Sequence, residues 1–370
     1  MFSQINIFLS LAISFTIAYF VIPKIIKVST IKNLFDVPNH RSAAKKVVPT
    51  LGGIAILASF AIGTIISSDS FNINALKYLY AGIITMFLIG LKDDIIGLSA
   101  KKKFIIEIVM ALYMVILGHY RITDLHGILG INEIGYIWGV LISVFAIVGI
   151  INAVNLVDGI DGLSGGIGLL ASLVYGFWFL NANDQIYALC CFSLAGSLIA
   201  FLLYNVFGDT NKIFMGDTGS LVLGTILAIL TLHFNLFYPT TTMVGHGMPA
   251  ISLAIIIVPV IDTTRVFAIR LWQGRSPFSP DMNHIHHNVL KLTGSHLTSS
   301  LIIISVNALI ILSAFLLIDD LGNNTLFFLL LTVGYLLAGI PARLVKMKNP
   351  AKENKTVFAF NIFLKKFKTE

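Results

Sequence analysis

The sequence predicts an all-α, polytopic membrane protein, and three observations support this class. Of the 370 residues, 56% are hydrophobic and only 12% are charged, whereas a soluble domain carries about 25% charged residues. The apolar residues form runs long enough to cross a bilayer as helices. The lysines and arginines are concentrated in alternate connections between those runs. Only helices satisfy their own backbone hydrogen bonds in so many separate spans.

Eleven apolar runs are candidates for membrane-spanning helices, since a span needs roughly 20 mostly apolar residues. They cover residues 3–25, 48–67, 75–92, 104–120, 135–154, 163–181, 185–206, 217–235, 248–270, 297–318 and 324–343. The first run is too long for the apolar core of a signal peptide and no basic segment precedes it, so we expect a transmembrane helix there. Cys190 and Cys191 are adjacent within one run and predict no disulfide framework.

The distribution of basic residues predicts the orientation of the bundle. With eleven spans, 23 of the 25 lysines and arginines fall at one end, and only Lys77 and Arg121 fall at the other. Basic loops stay in the cytoplasm, so we expect an outside N-terminus and a cytoplasmic C-terminus. Residues 1–343 then form the membrane domain, with cytoplasmic active-site loops, and residues 344–370 form a basic cytoplasmic tail near solvent or anionic lipid.

Four polar residues at the end of the fifth run are the most informative stretch. Asn152, Asn155, Asp158 and Asp161 are each three residues apart, so they share one face if the segment is helical. Polar groups at a membrane boundary indicate a functional site. The alternative is a polar turn with an aspartate as a helix cap, although such a turn needs only one or two of these residues.

Other loops at the same end carry further carboxylates, basic groups and histidines. Aspartate and asparagine oxygens without cysteine favour a hard cation such as Mg²⁺, with Mn²⁺ as an alternative. Carboxylates, such a cation and basic groups together are suited to phosphoryl transfer on a diphosphate. The additional candidates are Asp93, Asp94, Asp217, Lys45, Lys46, Lys103, Arg270, Arg275, His284, His286 and His287.

Each of these groups also has a simpler interpretation. Asp93 and Asp94 could cap a helix end, and Asp217 could be the N-cap of the next helix. The lysines at 101–103 could be a positive-inside anchor. The three histidines could form a surface loop or a zinc site, although their spacing matches no fixed zinc pattern and no cysteine is nearby.

Taken together, the motifs resemble the polyprenyl-phosphate N-acetylhexosamine-1-phosphate transferase superfamily, glycosyltransferase family 4. The resemblance spans residues 35–290 and is closer to the WecA/TagO branch than to the related MraY branch. The matching motifs are Pro49-Thr-Leu-Gly-Gly53, Asp93-Asp94, Asn152-x-x-Asn155-x-x-Asp158-Gly-x-Asp161-Gly-Leu163, Phe214-Met-Gly-Asp217-x-Gly-Ser220 and His284-Ile-His286-His287. The chain departs from relatives at Ala44, where they often carry a histidine.

The resemblance implies transfer of N-acetylglucosamine 1-phosphate from UDP-N-acetylglucosamine to undecaprenyl phosphate, releasing UMP and initiating cell-envelope polysaccharide synthesis. It also implies a role for each candidate residue. Asp217 would bind Mg²⁺, with Asn155 as a second ligand. Asp93, Asp94, Asp158, His286 and His287 would act in catalysis. Substrates would be bound by Lys45, Lys46, Lys103, Asn152, Asn155, Asp161, Asn205, Phe214, Arg270, Arg275 and His284, with Phe214 stacked on uracil.

The sequence also leaves alternatives to this function and predicts the location and partners of the protein. The donor could be another UDP-N-acetyl sugar or UDP-N-acetylmuramoyl-pentapeptide, and two rival classes are an ion-coupled transporter and a non-catalytic membrane scaffold. We expect a bacterial inner-membrane location, contact with membrane lipids and no nucleic-acid partner. A homodimer is also compatible with the sequence.

Overall fold

The computed structural model describes residues 2–36, 48–68, 73–237, 249–276 and 282–348, and these residues form a helical bundle. Short antiparallel ladders join β1 (Phe35–Asp36) to β2 (Val48–Pro49) and β3 (Asp124–Ile128) to β4 (Ile131–Glu133). The helices of the described ranges are α1 (Phe2–Ile31), α2 (Gly52–Ile66), α3 (Lys77–Ile96), α4 (Ala100–Ile116), α5 (Tyr136–Val157), α6 (Leu163–Asn181), α7 (Gln185–Phe207), α8 (Gly216–Leu236), α9 (Pro249–Ile255), α10 (Ile257–Trp272), α11 (Ile285–Thr293) and α12 (His296–Lys348).

The expected polytopic membrane bundle is confirmed, while the number of spans stays a prediction. Every one of the eleven expected ranges overlaps a helix. Within the described residues, six helices are long and apolar enough to cross a membrane, or seven if α9 and α10 count as one broken span. Helix α2 has only 15 residues and α4 only 17. The predicted orientation likewise stays a prediction.

Helix α12 covers two of the expected spans. Its 53 residues correspond to about 80 Å of helix, against a hydrocarbon core of about 30 Å. Gly322 interrupts it with φ 69° and ψ 165°, which glycine adopts without steric cost. The interruption falls between the expected spans 297–318 and 324–343, so the predicted break is confirmed.

The expected span 248–270 is bent, since α9 and α10 meet at an angle of 83°, and its crossing of the membrane stays a prediction. Pro259 lies in the first turn of α10 and has no N–H group to donate to the carbonyl of Ile255. The amide of Asn307, which is completely buried, donates to that carbonyl at 3.3 Å. A neighbouring helix therefore satisfies the backbone where the span bends.

Helix α8 occupies the centre of the bundle and is almost completely buried along its apolar length. Its Gly224 packs so closely on α5 that an added Cβ would lie 2.8 Å from Ile151 Cα. The opposite face of α5 is exposed, with Trp138 and Phe145 at 66% and 80%, as expected for a helix that contacts lipid. The central position of α8 places its first residues at the meeting point of several helices.

Asn323 and Asn324 connect several elements at the far end of the bundle, where the sequence suggests only an ordinary break between two helices. Asn323 donates from Nδ2 to His126 O at 2.8 Å and accepts at Oδ1 from Ala250 N at 3.0 Å. Asn324 accepts from Leu129 N at 2.9 Å. The start of the second half of α12 is thus tied to the β3–β4 hairpin and to α9.

Candidate active site

A cavity of about 490 Å³ opens at the end of the bundle where α3, α5 and α7 finish and α4, α6 and α8 begin. This is the end to which the sequence assigns the polar motifs. Nine of the expected site residues line it: Asp93, Asp94, Asn155, Asp158, Asp161, Asn205, Phe214, Asp217 and His287. Residues from five separate stretches of the chain therefore converge on one space.

Asp217, the second residue of α8, is held by side chains of two other helices. Lys103 Nζ, on α4, lies 3.0 Å from Asp217 Oδ2 and 2.7 Å from Asp93 Oδ2. Asn155 Nδ2, on α5, donates to Asp217 Oδ1 at 2.6 Å and to Ser220 Oγ at 2.8 Å. One lysine thus bridges two carboxylates, and both oxygens of Asp217 have a defined partner.

Asp94 caps the start of α8 from the neighbouring α3. Its Oδ1 accepts from Asp217 N at 2.9 Å, and its Oδ2 accepts from Thr218 N at 2.9 Å and from Thr218 Oγ1 at 2.5 Å. The N–H groups of Asp217 and Thr218 are among those that a helix N-terminus leaves without an internal partner. The expected capping function is therefore carried by Asp94 and not by Asp217, whose carboxylate faces the cavity.

Two glycine-rich segments bring α2 against the start of α8. Gly52 N donates to Phe214 O and Gly53 N to Met215 O, both at 3.0 Å. A Cβ on Gly53 would lie 2.2 Å from Gly219 N, so only glycine allows this approach. The Pro49–Gly53 motif therefore positions the segment that carries Phe214 and Asp217.

The loop between α5 and α6 supplies two aspartates with different environments. Burial raises the pKa of Asp158 to about 8, and this effect outweighs the hydrogen bond that its carboxylate accepts from Ser164. Burial alone would also raise the pKa of Asp161, but contacts with His296 Nδ1 at 2.9 Å and Lys212 Nζ at 2.6 Å outweigh it, and the pKa is lowered. Asp161 is therefore the charged member of the pair at neutral pH.

Asn205 ties that loop to the Phe214 segment. Its Oδ1 accepts from Gly162 N at 2.7 Å, and its Nδ2 donates to Ile213 O at 2.9 Å. Phe214 faces the cavity, with Lys212 Nζ at 5.9 Å from its ring centre. An aromatic face beside a charged Asp161–Lys212–His296 group suits a polar heteroaromatic ring.

The histidine segment is organised by Asp262, a residue of α10 that is 1% exposed. Asp262 Oδ2 lies 3.1 Å from His284 Nδ1, and its Oδ1 accepts from Ile285 N at 2.8 Å. His284 Nε2 lies 3.3 Å from Arg270 Nη2. Because a carboxylate only accepts and a guanidinium only donates, His284 carries its proton on Nδ1.

Only one of the three histidines reaches the cavity. His286 is 2% exposed and packs over Gly159, where a Cβ would lie 2.4 Å from its Nε2. Burial lowers the pKa of His286, although Asp262 opposes the shift. Burial and the neighbouring His286 and His284 lower the pKa of His287 to about 3, so this residue faces the cavity as a neutral imidazole.

The other expected site residues lie elsewhere. Asn152 and Arg270 do not line the cavity, and Arg275 is exposed, 3.3 Å from Gln273 Oε1. Lys45 and Lys46 lie outside the described residues, as do Ala44 and the tail from residue 349. His284, His286 and Lys103 support the site from behind its lining.

Sequence reasoning missed several residues that the structure places at or beside the site. Asp262 and Glu107 are each the one acidic residue inside an apolar run, a signal that indicates function in a membrane segment. Lys212 and His296 have no comparable signal, because only the fold brings them to Asp161. The zinc alternative gains no support, since no group of three or more His, Cys, Asp or Glu in the described ranges could hold a metal ion.

The donor atoms nevertheless fit Mg²⁺, which commonly takes one or two protein carboxylates and completes its shell with water and substrate phosphates. Asp217 and Asn155 would supply hard oxygen ligands at the cavity wall. The Asn155 amide, which donates to Asp217 in this structure, would present its oxygen after a side-chain flip. Lys103 already provides a positive charge between Asp93 and Asp217. The two carboxylates therefore already accommodate one positive charge at this point.

Comparisons with known proteins agree with this chemistry. The model of the family "Glycosyl transferase family 4" matches residues 76–235. An undecaprenyl-phosphate alpha-N-acetylglucosaminyl 1-phosphate transferase of Haemophilus influenzae is 35% identical over 266 residues, or 70% of this chain and 72% of the relative. The enzymes of the same name from Escherichia coli K12 and Salmonella typhi are 30% and 29% identical, each covering 72% of this chain and 71% of the relative.

Proposed function

Because this chain belongs to glycosyl transferase family 4, we propose that it transfers N-acetylglucosamine 1-phosphate from UDP-N-acetylglucosamine to undecaprenyl phosphate. The products are undecaprenyl-diphosphate-N-acetylglucosamine and UMP. The observation that carries the proposal is the similarity, over more than two thirds of their length, to relatives that bear this activity in their names. The cavity chemistry supports it independently.

The reaction exchanges one phosphoanhydride bond for another. An oxygen of the lipid phosphate attacks the β-phosphorus of the UDP-sugar, and the bond from that phosphorus to the UMP oxygen breaks. The attacking phosphate is already largely ionised near pH 7, so no strong base is required. The protein has to bring two anions together, and the positive charge of Lys103 beside Asp93 lowers the electrostatic cost of doing so.

The residues around the cavity divide this task between the two substrates. We assign the uracil ring to Phe214 and the uridine to the Asp161 loop, because an aromatic face and polar groups adjoin there. His287, as a neutral imidazole, can donate to or accept from the sugar-phosphate end. We assign the acceptor phosphate to Asp93, which lines the cavity and is paired with Lys103 behind the lining. Asp93 orients this phosphate more than it removes a proton.

We also propose that Mg²⁺, or Mn²⁺ in its place, is required. Asp217 and Asn155 would hold the ion, which when bound neutralises charge on the diphosphate oxygens. Asp94 contributes indirectly, because it holds the first turn of α8 and thereby the position of Asp217. Asp217 thus lies at a helix start that Asp94 holds in place, while Asn155 lies near the end of α5.

We place the site at the cytoplasmic face of a bacterial inner membrane, where UDP-sugars are available. The eleven predicted spans assign 23 of the 25 lysines and arginines to the cytoplasmic connections, which supports that orientation. A site at a membrane face also suits a lipid acceptor. The alternative of an ion-coupled transporter is less well supported, because such sites lie near the middle of the bilayer and this cavity lies at one end of the bundle.

The test is release of UMP by purified full-length protein supplied with undecaprenyl phosphate and Mg²⁺. We expect turnover with UDP-N-acetylglucosamine to exceed that with other UDP-N-acetyl sugars, since a site that bonds one hydroxyl can discriminate by about 10⁴-fold. Asp217→Asn should abolish turnover, whereas Asp319→Asn, an exposed aspartate near the Gly322 break, should not change it. Faster turnover of another sugar would refute the donor, and no UMP from any sugar would refute the reaction.

A further inference from the structure

Glu107 and the half-buried Asn152 form a contact between α4 and α5, deeper in the bundle than the cavity. Glu107 is completely buried, and its Oε2 accepts a hydrogen bond from Asn152 Nδ2. The same amide nitrogen donates to Val148 O at 2.9 Å, so both of its hydrogens are used. Neither Glu107 nor Asn152 lines the cavity. The pair therefore joins the two helices without access to substrate.

The contact lies one helical turn from the residues that hold Asp217. Lys103 precedes Glu107 by four residues on α4, and Asn155 follows Asn152 by three on α5, so each pair shares a helix face. Lys103 approaches Asp217 Oδ2 at 3.0 Å, and Asn155 donates to Oδ1 at 2.6 Å. Helices α4 and α5 therefore each hold one oxygen of the same carboxylate.

We propose that the Glu107–Asn152 contact is a brace that positions α4 against α5 and so sets the spacing of Lys103 and Asn155 across Asp217. Helices packed through apolar side chains have few directional contacts, and an interhelical hydrogen bond supplies one. A shift of about 1 Å in a positioning group can cost roughly 10²-fold in rate. Glu107 and Asn152 are positioning residues in this account, which rests on the proposed function.

The geometry distinguishes a brace from a purely electrostatic role for Glu107. Oε2 carries the contact to Asn152, while Oε1 has no hydrogen-bond partner among the described residues. A glutamine can still accept from Asn152 through its single oxygen, but it has no charge to balance Lys103. A brace therefore tolerates Glu107→Gln, whereas a charge-balancing role does not.

The experiment measures UMP release and thermal unfolding for full-length wild type and four variants: Glu107→Gln, Glu107→Leu, Asn152→Leu and the double leucine variant. We expect Glu107→Gln to stay within about threefold of wild-type kcat. Each single leucine variant should lose kcat by roughly 10- to 100-fold, with KM for both substrates changed much less. Met110→Leu, a volume-conserving change at a completely buried site on α4, is the matched control.

The double variant separates positioning from stability. It leaves no buried polar partner unpaired, so its unfolding temperature should recover towards wild type while its kcat stays low. Recovery of kcat together with stability, or equal damage by Glu107→Gln and Glu107→Leu, would overturn the brace. Wild-type protein without UMP release would instead refute the proposed function, and non-additive unfolding temperatures in the four-variant set would still report the Glu107–Asn152 contact.

Discussion

Asp93 and Asp94 are adjacent in the chain, but their carboxylates make different contacts. Asp93 pairs with Lys103 at 2.7 Å and accepts from Leu98 N at 2.6 Å. Asp94 accepts three hydrogen bonds from the first turn of α8. The two positions should therefore respond differently to the same substitution.

We expect Asp94→Asn to lower both stability and turnover, since an amide NH₂ group would face donors that the carboxylate accepts. The loss should be about 1–2 kcal/mol, as for a lost helix cap. Asp93→Asn should lower turnover by roughly 10²-fold with little change in unfolding temperature. Calorimetry and UMP release on both variants provide the comparison, and equal unfolding temperatures would contradict the capping role of Asp94.

Asp158 makes stability depend on pH. Its folded pKa of about 8 is above the model-peptide value of 3.8, so the folded protein holds this proton more tightly than the unfolded chain. The stabilisation is complete below pH 4 and is lost as the pH rises through 8. Asparagine keeps an oxygen that can accept from Ser164 but does not titrate.

The unfolding temperature of Asp158→Asn relative to wild type should therefore rise between pH 5.5 and pH 8.5. The difference rises because the wild type loses stability over that interval, as folding increasingly requires the Asp158 carboxyl to take up a proton that the unfolded chain does not bind. Thermal unfolding at several pH values in one detergent checks this expectation. A difference that does not vary with pH would show that Asp158 is ionised throughout.

At the scale of elements, close backbone contacts between α2, α3 and α8 hold the start of α8. A Cβ on Gly53 would lie 2.2 Å from Gly219 N, and a Cβ on Gly90 would lie 2.6 Å from Asp217 O. Backbone atoms cannot move aside as a flexible side chain can. The site thus depends on helix packing within a few tenths of an ångström.

Gly53→Ala should consequently separate α2 from α8 and remove most turnover, with a lower unfolding temperature. Gly149→Ala is the matched control, because this glycine of α5 has no heavy atom within 4 Å of an added Cβ. The control should be neutral or more stable by up to about 1 kcal/mol, the usual gain in helix propensity. Comparable behaviour of the two variants would argue against the packing contact.

The same elements show what sequence reasoning can and cannot reach. Apolar runs locate α5 and α8 closely, because a membrane span has a required length and composition. Asp217 and Asn155 stand out as polar groups at the ends of such runs. The role of Asp94 depends on which amide groups lie 2.9 Å away, and no spacing along the chain encodes that.

Asp262 illustrates a second limit. Its carboxylate binds His284 and the amide of Ile285, both more than 20 positions later in the chain. The bend at Ile256, which turns α10 across the bundle, brings these groups together. By length and composition, residues 248–270 look like one ordinary span. The missing N–H of Pro259 is the one feature of the sequence that indicates a bend in it.

For the whole molecule, the asymmetric distribution of charge predicts the membrane topology. Exposed lysines at the cavity end include Lys92, Lys101 and Lys102, whereas Asp319 and Asp320 are exposed near the Gly322 break. The lysines belong to the 23 basic residues assigned to the cytoplasm, where positive charge is retained. The opposite end should therefore face outwards.

Labelling single cysteines in intact cells tests this orientation. Asp320→Cys should react with a membrane-impermeant maleimide, whereas Lys101→Cys should react only after the cells are opened. The background should be low, since Cys190 and Cys191 are completely buried. Both introduced thiols are at exposed positions, so a difference in labelling reports the side of the membrane and not burial. Labelling of Lys101→Cys in intact cells would show the opposite orientation. The cavity would then lie outside the cell, where it could not bind a cytoplasmic UDP-sugar.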